Sequence, residues 1–177
     1  GQMPPGSTMD KILKRDRLVA GVDQNLNLIS SRNPYTGELE GYDIDFVREI
    51  AKAIFGDPNK VQLRAVNFGN NFDVLKSGEI DILAESLTIT CERRYKDRIA
   101  FSTDYLDAAQ KIIVRKRSPY NGPADLAGRK VCAPAGTTSI RTIREYGDRK
   151  LVPVAVAEFS DCLVLLQQGQ IDAISTT

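Results

Sequence analysis

The chain has 177 residues, 24 Lys+Arg against 23 Asp+Glu, three cysteines, and neither histidine nor tryptophan. A net charge of +1 lacks the basic surplus of a nucleic-acid binder, and the missing histidine removes Ser-His-Asp and Cys-His catalysis and mixed Cys/His zinc sites. No stretch reaches the roughly 20 apolar residues that span a bilayer, and the length suits one domain or two small ones that need no metal to fold.

Residues 1–8, rich in Pro and Gly, read as a flexible lead-in. A helix is predicted over 9–15, with Thr8 as its N-cap. The apolar run at 18–22 is a buried strand ending at Asp23. Asn33-Pro34-Tyr35-Thr36-Gly37 is a turn between two short extended runs, which predicts a hairpin. Asp43 or Asp45 caps the next helix, over 44–55, where Ile44, Val47, Ile50, Ala51 and Ile54 recur at helical spacing. Gly56-Asp57-Pro58 ends it. A strand at 61–66, a short helix at 72–76 stopped by Gly78, and a strand at 80–84 complete an alternation that implies a mostly parallel sheet covered by helices.

The pattern restarts after Tyr105. Strands are predicted at 111–114, 130–133, 151–155 and 171–174, and helices at 138–146 and 160–168. The fold class is therefore α/β, as two small lobes joined near 105–108, with no repeat visible in the sequence. Asp43 and Asp45 are too close in sequence to share a helix face, so they read as caps, and Asp81 reads as a strand-end anchor.

Two segments carry candidate chemistry. Glu85-Ser86-Leu87-Thr88-Ile89-Thr90-Cys91-Glu92-Arg93-Arg94 leaves the carboxyl end of a buried strand, where ligands collect in open α/β sheets. Thr88 offers a hydroxyl and Arg93 a planar fork that matches a carboxylate; a polar loop with a solvated arginine is the plain alternative. Ala135-Gly136-Thr137-Thr138-Ser139 opens a helix whose backbone N–H groups favour an anion. Gly136 permits close approach, and a simple N-cap by Thr137 or Thr138 is the alternative there. Phe68 offers an apolar wall and Asp23 a negative group. Together these residues suit a small carboxylate held from both lobes.

The blocks Gly41-Tyr42-Asp43-Ile44-Asp45, Leu75-Lys76-Ser77-Gly78-Glu79-Ile80-Asp81, Thr88-Ile89-Thr90-Cys91-Glu92-Arg93-Arg94, Phe101-Ser102-Thr103-Asp104-Tyr105, Gly136-Thr137-Thr138-Ser139 and Gly169-Gln170-Ile171-Asp172-Ala173 run in one order along the chain. In that order the sequence resembles the polar amino-acid-binding proteins of bacterial ABC importers, extracytoplasmic solute-binding family 3, and most of all their actinobacterial glutamine/glutamate-binding branch. The resemblance implies a type II periplasmic-binding-protein fold and no enzyme activity, cofactor or metal. It implies a free polar amino acid (glutamate, glutamine, aspartate or asparagine) as ligand, ABC permease subunits as partners, and a lipid anchor outside the cytoplasmic membrane.

Carried over residue by residue, the resemblance gives the ligand's α-carboxylate to Arg93, helped by Thr88 and the backbone around Gly136, Thr137 and Thr138. The Ser86 carbonyl takes the ammonium, Phe68 packs on the aliphatic stem and Asp23 approaches the ligand side chain. Cys132 and Cys162 form a disulfide and Cys91 stays free. The family's acidic partner for the ammonium falls at Thr177, and Glu85 stands where acid-binding relatives carry a basic or neutral residue. On this reading 1–8 is the lead-in, 9–106 an incomplete first lobe, 107–174 the second lobe and 175–177 the start of a return hinge. An incomplete lobe would leave a sheet edge open to self-association. A receptor's ligand-sensing domain on the same fold is the alternative function, and a dehydratase-like enzyme ranks below it.

Overall fold

The structure, a computed structural model, describes residues 3–146 and 150–177. By contacts the chain divides into Gly1–Leu87 and Thr88–Thr177.

In the first unit, helix α1 (Thr8–Arg15) buries Ile12 and is capped by Ser7 rather than Thr8. Ser7 is extended and its Oγ accepts from Asp10 N at 3.2 Å, whereas Thr8 is already helical. Strand β1 (Leu18–Val22) is buried along its whole length. It is the middle strand of a parallel three-stranded sheet between β5 (Val61–Ala65) and β6 (Ile82–Ala84). Its continuous apolar run is what a strand covered on both faces requires. The expected hairpin forms between β3 (Ser30–Arg32) and β4 (Leu39–Glu40), and β2 (Asn25–Leu26) adds a third antiparallel strand. Asn33 closes the turn by accepting at Oδ1 from Tyr35 N and Thr36 N.

Helix α2 (Tyr42–Phe55) starts earlier than predicted, and neither Asp43 nor Asp45 caps it. Its cap residue is Gly41, at φ 127°. The first helical N–H groups are satisfied from outside the helix: Tyr42 N donates to Leu28 O at 3.0 Å and Asp43 N to Ile29 O at 2.9 Å. The loop therefore lies against the helix end, and a Cβ on residue 41 would sit 2.5 Å from Ile29 O. Only glycine fits. With its capping task taken by backbone, Asp43 is fully buried. Ile44, Val47 and Ala51 pack on Leu18, Ala20, Val22 and Ala84 to form the core. A short helix, α3 (Asn71–Lys76), precedes β6.

The second unit holds β7 (Lys111–Val114), β8 (Lys130–Pro134), α4 (Thr138–Glu145), β9 (Val152–Val156), α5 (Phe159–Gln167) and β10 (Ala173–Thr176). The strand order is β7-β10-β8-β9, parallel except for the edge strand β7. Cys132 on β8 and Cys162 on α5 form the expected disulfide, with both residues fully buried, and Cys91 is free and exposed. By contacts, the segment from Thr88 to Ile99 groups with this unit. Within it, Arg93 bonds to Gly136 O, ahead of α4, and Glu92 to Arg141 of α4.

One local device recurs that the sequence alone did not reveal as a repeat. Gly78-Glu79-Ile80-Asp81 and Gly169-Gln170-Ile171-Asp172 each turn from a helix into a strand, with the glycine at φ 78° and 72°. Asp81 N donates to Val19 O at 2.8 Å while Asp81 Oδ2 accepts from Val19 N at 2.7 Å. Asp172 repeats this with Lys130, at 2.9 and 3.0 Å, and also accepts from the Tyr120 hydroxyl at 3.1 Å. Each Asp is thus a strand-end anchor, as expected of Asp81. The device also explains why β6 and β10 both start two residues later than predicted: the Ile-Asp pair belongs to the turn. Asp172→Ala leaves the Lys130 N–H and the Tyr120 hydroxyl without this acceptor. It should cost about 1–3 kcal/mol, read as a lower urea midpoint with unchanged slope.

Candidate functional site

Arg93 lies in a π-helical turn, Glu92–Lys96, that the sequence did not predict. The wide turn is closed by Asp97 N donating to Glu92 O at 3.1 Å, and Arg93 N donates to Thr90 Oγ1 at 3.2 Å. Such turns recur at functional positions. The Arg93 side chain is turned inward, and the residue is only 7% exposed. Nη1 donates to Thr88 O at 2.6 Å and Nη2 to Gly136 O at 3.3 Å. These two bonds fix the plane of the guanidinium fork between two loops. Glu92, next to it, pairs with Lys96 at 3.2 Å and with Arg141 of α4. The π-turn and α4 are thereby tied together.

At the start of α4 the N-cap is Thr137, not Thr138: its Oγ1 accepts from Ile140 N at 3.2 Å and donates to Pro134 O at 2.7 Å. Gly136, at φ 79°, turns the chain from β8 into the helix. Thr138, the first helical residue, places its Oγ1 3.3 Å from Thr88 Oγ1. The structure therefore brings together Thr88, Arg93, Gly136, Thr137 and Thr138: a guanidinium, two hydroxyls and the N–H end of a helix. Each favours negative charge, and a planar fork beside N–H donors suits a carboxylate.

In the first unit, Asp23 follows β1 and is 2% exposed. Its Oδ1 accepts from Asn25 N at 2.5 Å and its carbonyl accepts from Ser30 Oγ at 2.5 Å, which bends the chain into β2. Phe68 is half-buried in the turn after β5. Ser86, just beyond β6, has the left-handed φ of 46°. Its N–H donates to Asp43 Oδ2 at 2.9 Å and its Oγ to the same oxygen at 3.3 Å. Glu85 is fully buried, and its Oε2 accepts from Asn71 Nδ2 at 2.6 Å, which binds it to the first residue of α3. Two contributors were missed from sequence: Asp43, read as a cap, and the Glu92–Arg141 pair. Both contacts join residues far apart in the chain; Glu92 at least stands beside a candidate ligand residue, whereas nothing around Asp43 in the sequence points to Ser86.

The described residues form two α/β units, the second of which gathers Thr88, Arg93 and the N-terminus of α4. Residues 18–145 match the bacterial extracellular solute-binding proteins, family 3, and the chain belongs to that family. It is 40% identical over 171 residues to the glutamine-binding protein of Geobacillus stearothermophilus, an overlap of 96% of this chain and 64% of that one. It is 37% identical over 170 residues to the ABC transporter glutamine-binding protein GlnH of Bacillus subtilis (strain 168), covering 96% of this chain and 61% of the relative. Among solved structures, the fold is similar to an ABC transporter periplasmic binding protein from Brucella ovis with glutathione bound, with a TM-score of 0.89 at 29% identity over 97% of this chain and 55% of that one. The chain thus spans less than two-thirds of the length of these relatives. The fold is that of the type II periplasmic binding proteins. Among the described residues no helix is long and apolar enough to cross a membrane.

Proposed function

We propose that this chain is the substrate-binding component of an ABC importer for a polar amino acid of the glutamine, glutamate, aspartate and asparagine class, with glutamine as its ligand. The observation that carries the reading is the clamp of Arg93, Thr88 and the α4 N-terminus, which suits an α-carboxylate. Relatives named as glutamine-binding proteins support the side-chain class. The first-unit residues assigned to the same ligand are Asp23, Phe68 and Ser86, with the Ser86 carbonyl accepting from the ammonium. The protein binds without turnover, and ABC permease subunits are the partners that receive the ligand. A lipid anchor on the outer face of the cytoplasmic membrane belongs to the same proposal, as does self-association through the first lobe, which sedimentation would read.

The test is a thermal-shift screen of the chain against the free amino acids. Ligand at about a hundred times its dissociation constant should add about 2.7 kcal/mol, with L-glutamine giving the largest shift. A shift with none of them would refute the reading.

A further inference from the structure

Ser86 combines features that a plain connecting residue does not need. It is a non-glycine residue in the left-handed region, at φ 46°, two residues beyond Ala84, the buried last residue of β6. Such a conformation is costly for a residue with a Cβ and persists where surrounding groups over-determine it. Here the over-determining group is Asp43: one carboxylate oxygen receives both the N–H and the Oγ of Ser86. A carboxylate as fully buried as this one is expensive to keep. Its position in the first turn of α2 lowers that cost, because the positive end of the helix favours it. The helix end is set in turn by the close backbone approach at Gly41. A chain of constraints thus runs from Gly41 through α2 and Asp43 to the conformation of Ser86, and so to the direction of its carbonyl.

We infer that Asp43 is the positioning residue for the ligand's ammonium group: by holding Ser86 left-handed it fixes the carbonyl that receives that group. The inference rests on the assignment of the Ser86 carbonyl made above, and it gives Asp43 a task beyond the capping role expected from sequence. Asp43 acts through Ser86 and does not itself touch the ligand. Its signature is a preference for ligands that carry an α-ammonium.

The experiment compares L-glutamine with 4-carbamoylbutanoate, the same molecule without its amino group, by calorimetry and, for weak binding, ligand-observed NMR. The parent chain should prefer L-glutamine by about tenfold to a hundredfold, the worth of one hydrogen bond to a charged group. Asp43→Ala should shrink that preference to a few-fold at most, by weakening L-glutamine while leaving the analogue nearly unchanged. Asp43→Asn, which keeps an acceptor for the Ser86 N–H, should retain it, as should Ser86→Gly, because glycine reaches positive φ freely. Ser86→Val, β-branched and disfavoured at positive φ, should lose it as Asp43→Ala does, and it decides the matter should Asp43→Ala not fold. Equal weakening of both ligands in these variants, or an undiminished preference, overturns the inference alone. A parent chain that does not bind L-glutamine overturns the functional reading and the inference with it.

Discussion

Removing the Cys132–Cys162 disulfide by the double substitution Cys132→Ala/Cys162→Ala should lower stability by about 3–4 kcal/mol, the chain-entropy value for a loop of this size. The two cysteines are 30 residues apart in sequence, and the bond ties the central strand β8 to α5. Both residues sit in one cluster with Leu166, Ile171 and Ile174, so the unfolded chain regains the freedom of the whole β8–α4–β9–α5 segment when the link is gone. Alanine also leaves part of the sulfur volume empty in a packed core. Urea unfolding of the two chains reads the loss directly, and the melting temperature should fall by on the order of 10 °C. A reductant should reproduce the shift in the parent and leave the double variant unmoved. A loss well under about 1 kcal/mol would mean that the remaining packing around β8 and α5 holds the unit by itself. A buried bond of this kind suits the oxidising side of a membrane, in keeping with the extracellular family to which the chain belongs.

Arg93→Ala should weaken L-glutamine binding about a hundredfold or more, corresponding to about 3 kcal/mol or above. The Arg93 fork is already held by Thr88 O and Gly136 O, so the side chain loses little freedom when a carboxylate arrives. The contact proposed for it is a charge-assisted one, shielded from water because the residue is only 7% exposed. Arg93→Lys should recover little of this, because a lysine ammonium is a point charge that cannot span both loops and a carboxylate at once. Two carbonyls also lose their donor in Arg93→Ala, so the ligand-free protein should melt lower. That effect is separable, because it is present without ligand and does not depend on its concentration.

Much of this architecture was legible from local pattern. The apolar run of β1, the alternation of strand and helix and the turn at residues 33–37 come from spacings within a few residues, and the structure places them as expected. The disulfide followed from resemblance to a family rather than from geometry. Most of the misses share a physical origin: bonds between distant segments outweighed local preference, whereas the shift of the α1 cap from Thr8 to Ser7 is decided within the first turn. Thr8 and Asp43 are competent capping residues, yet Ser7 and the backbone of Leu28 and Ile29 took those tasks. The Ile-Asp pairs before β6 and β10 look like strand, but each Asp is fixed end-on to a neighbouring strand. The π-turn around Arg93 depends on Thr90 and on the pairing of Glu92 with α4, neither of which leaves a periodic signal. At the site, the donors Thr88, Arg93 and Thr138 were legible as residue types. What held them, and what held Ser86, was not.

Isothermal titration of the parent chain and of Arg93→Ala with L-glutamine tests the central claim most directly. The parent should show saturable one-to-one binding, and the variant a dissociation constant raised about a hundredfold or more. Equal affinities in the two chains would contradict it.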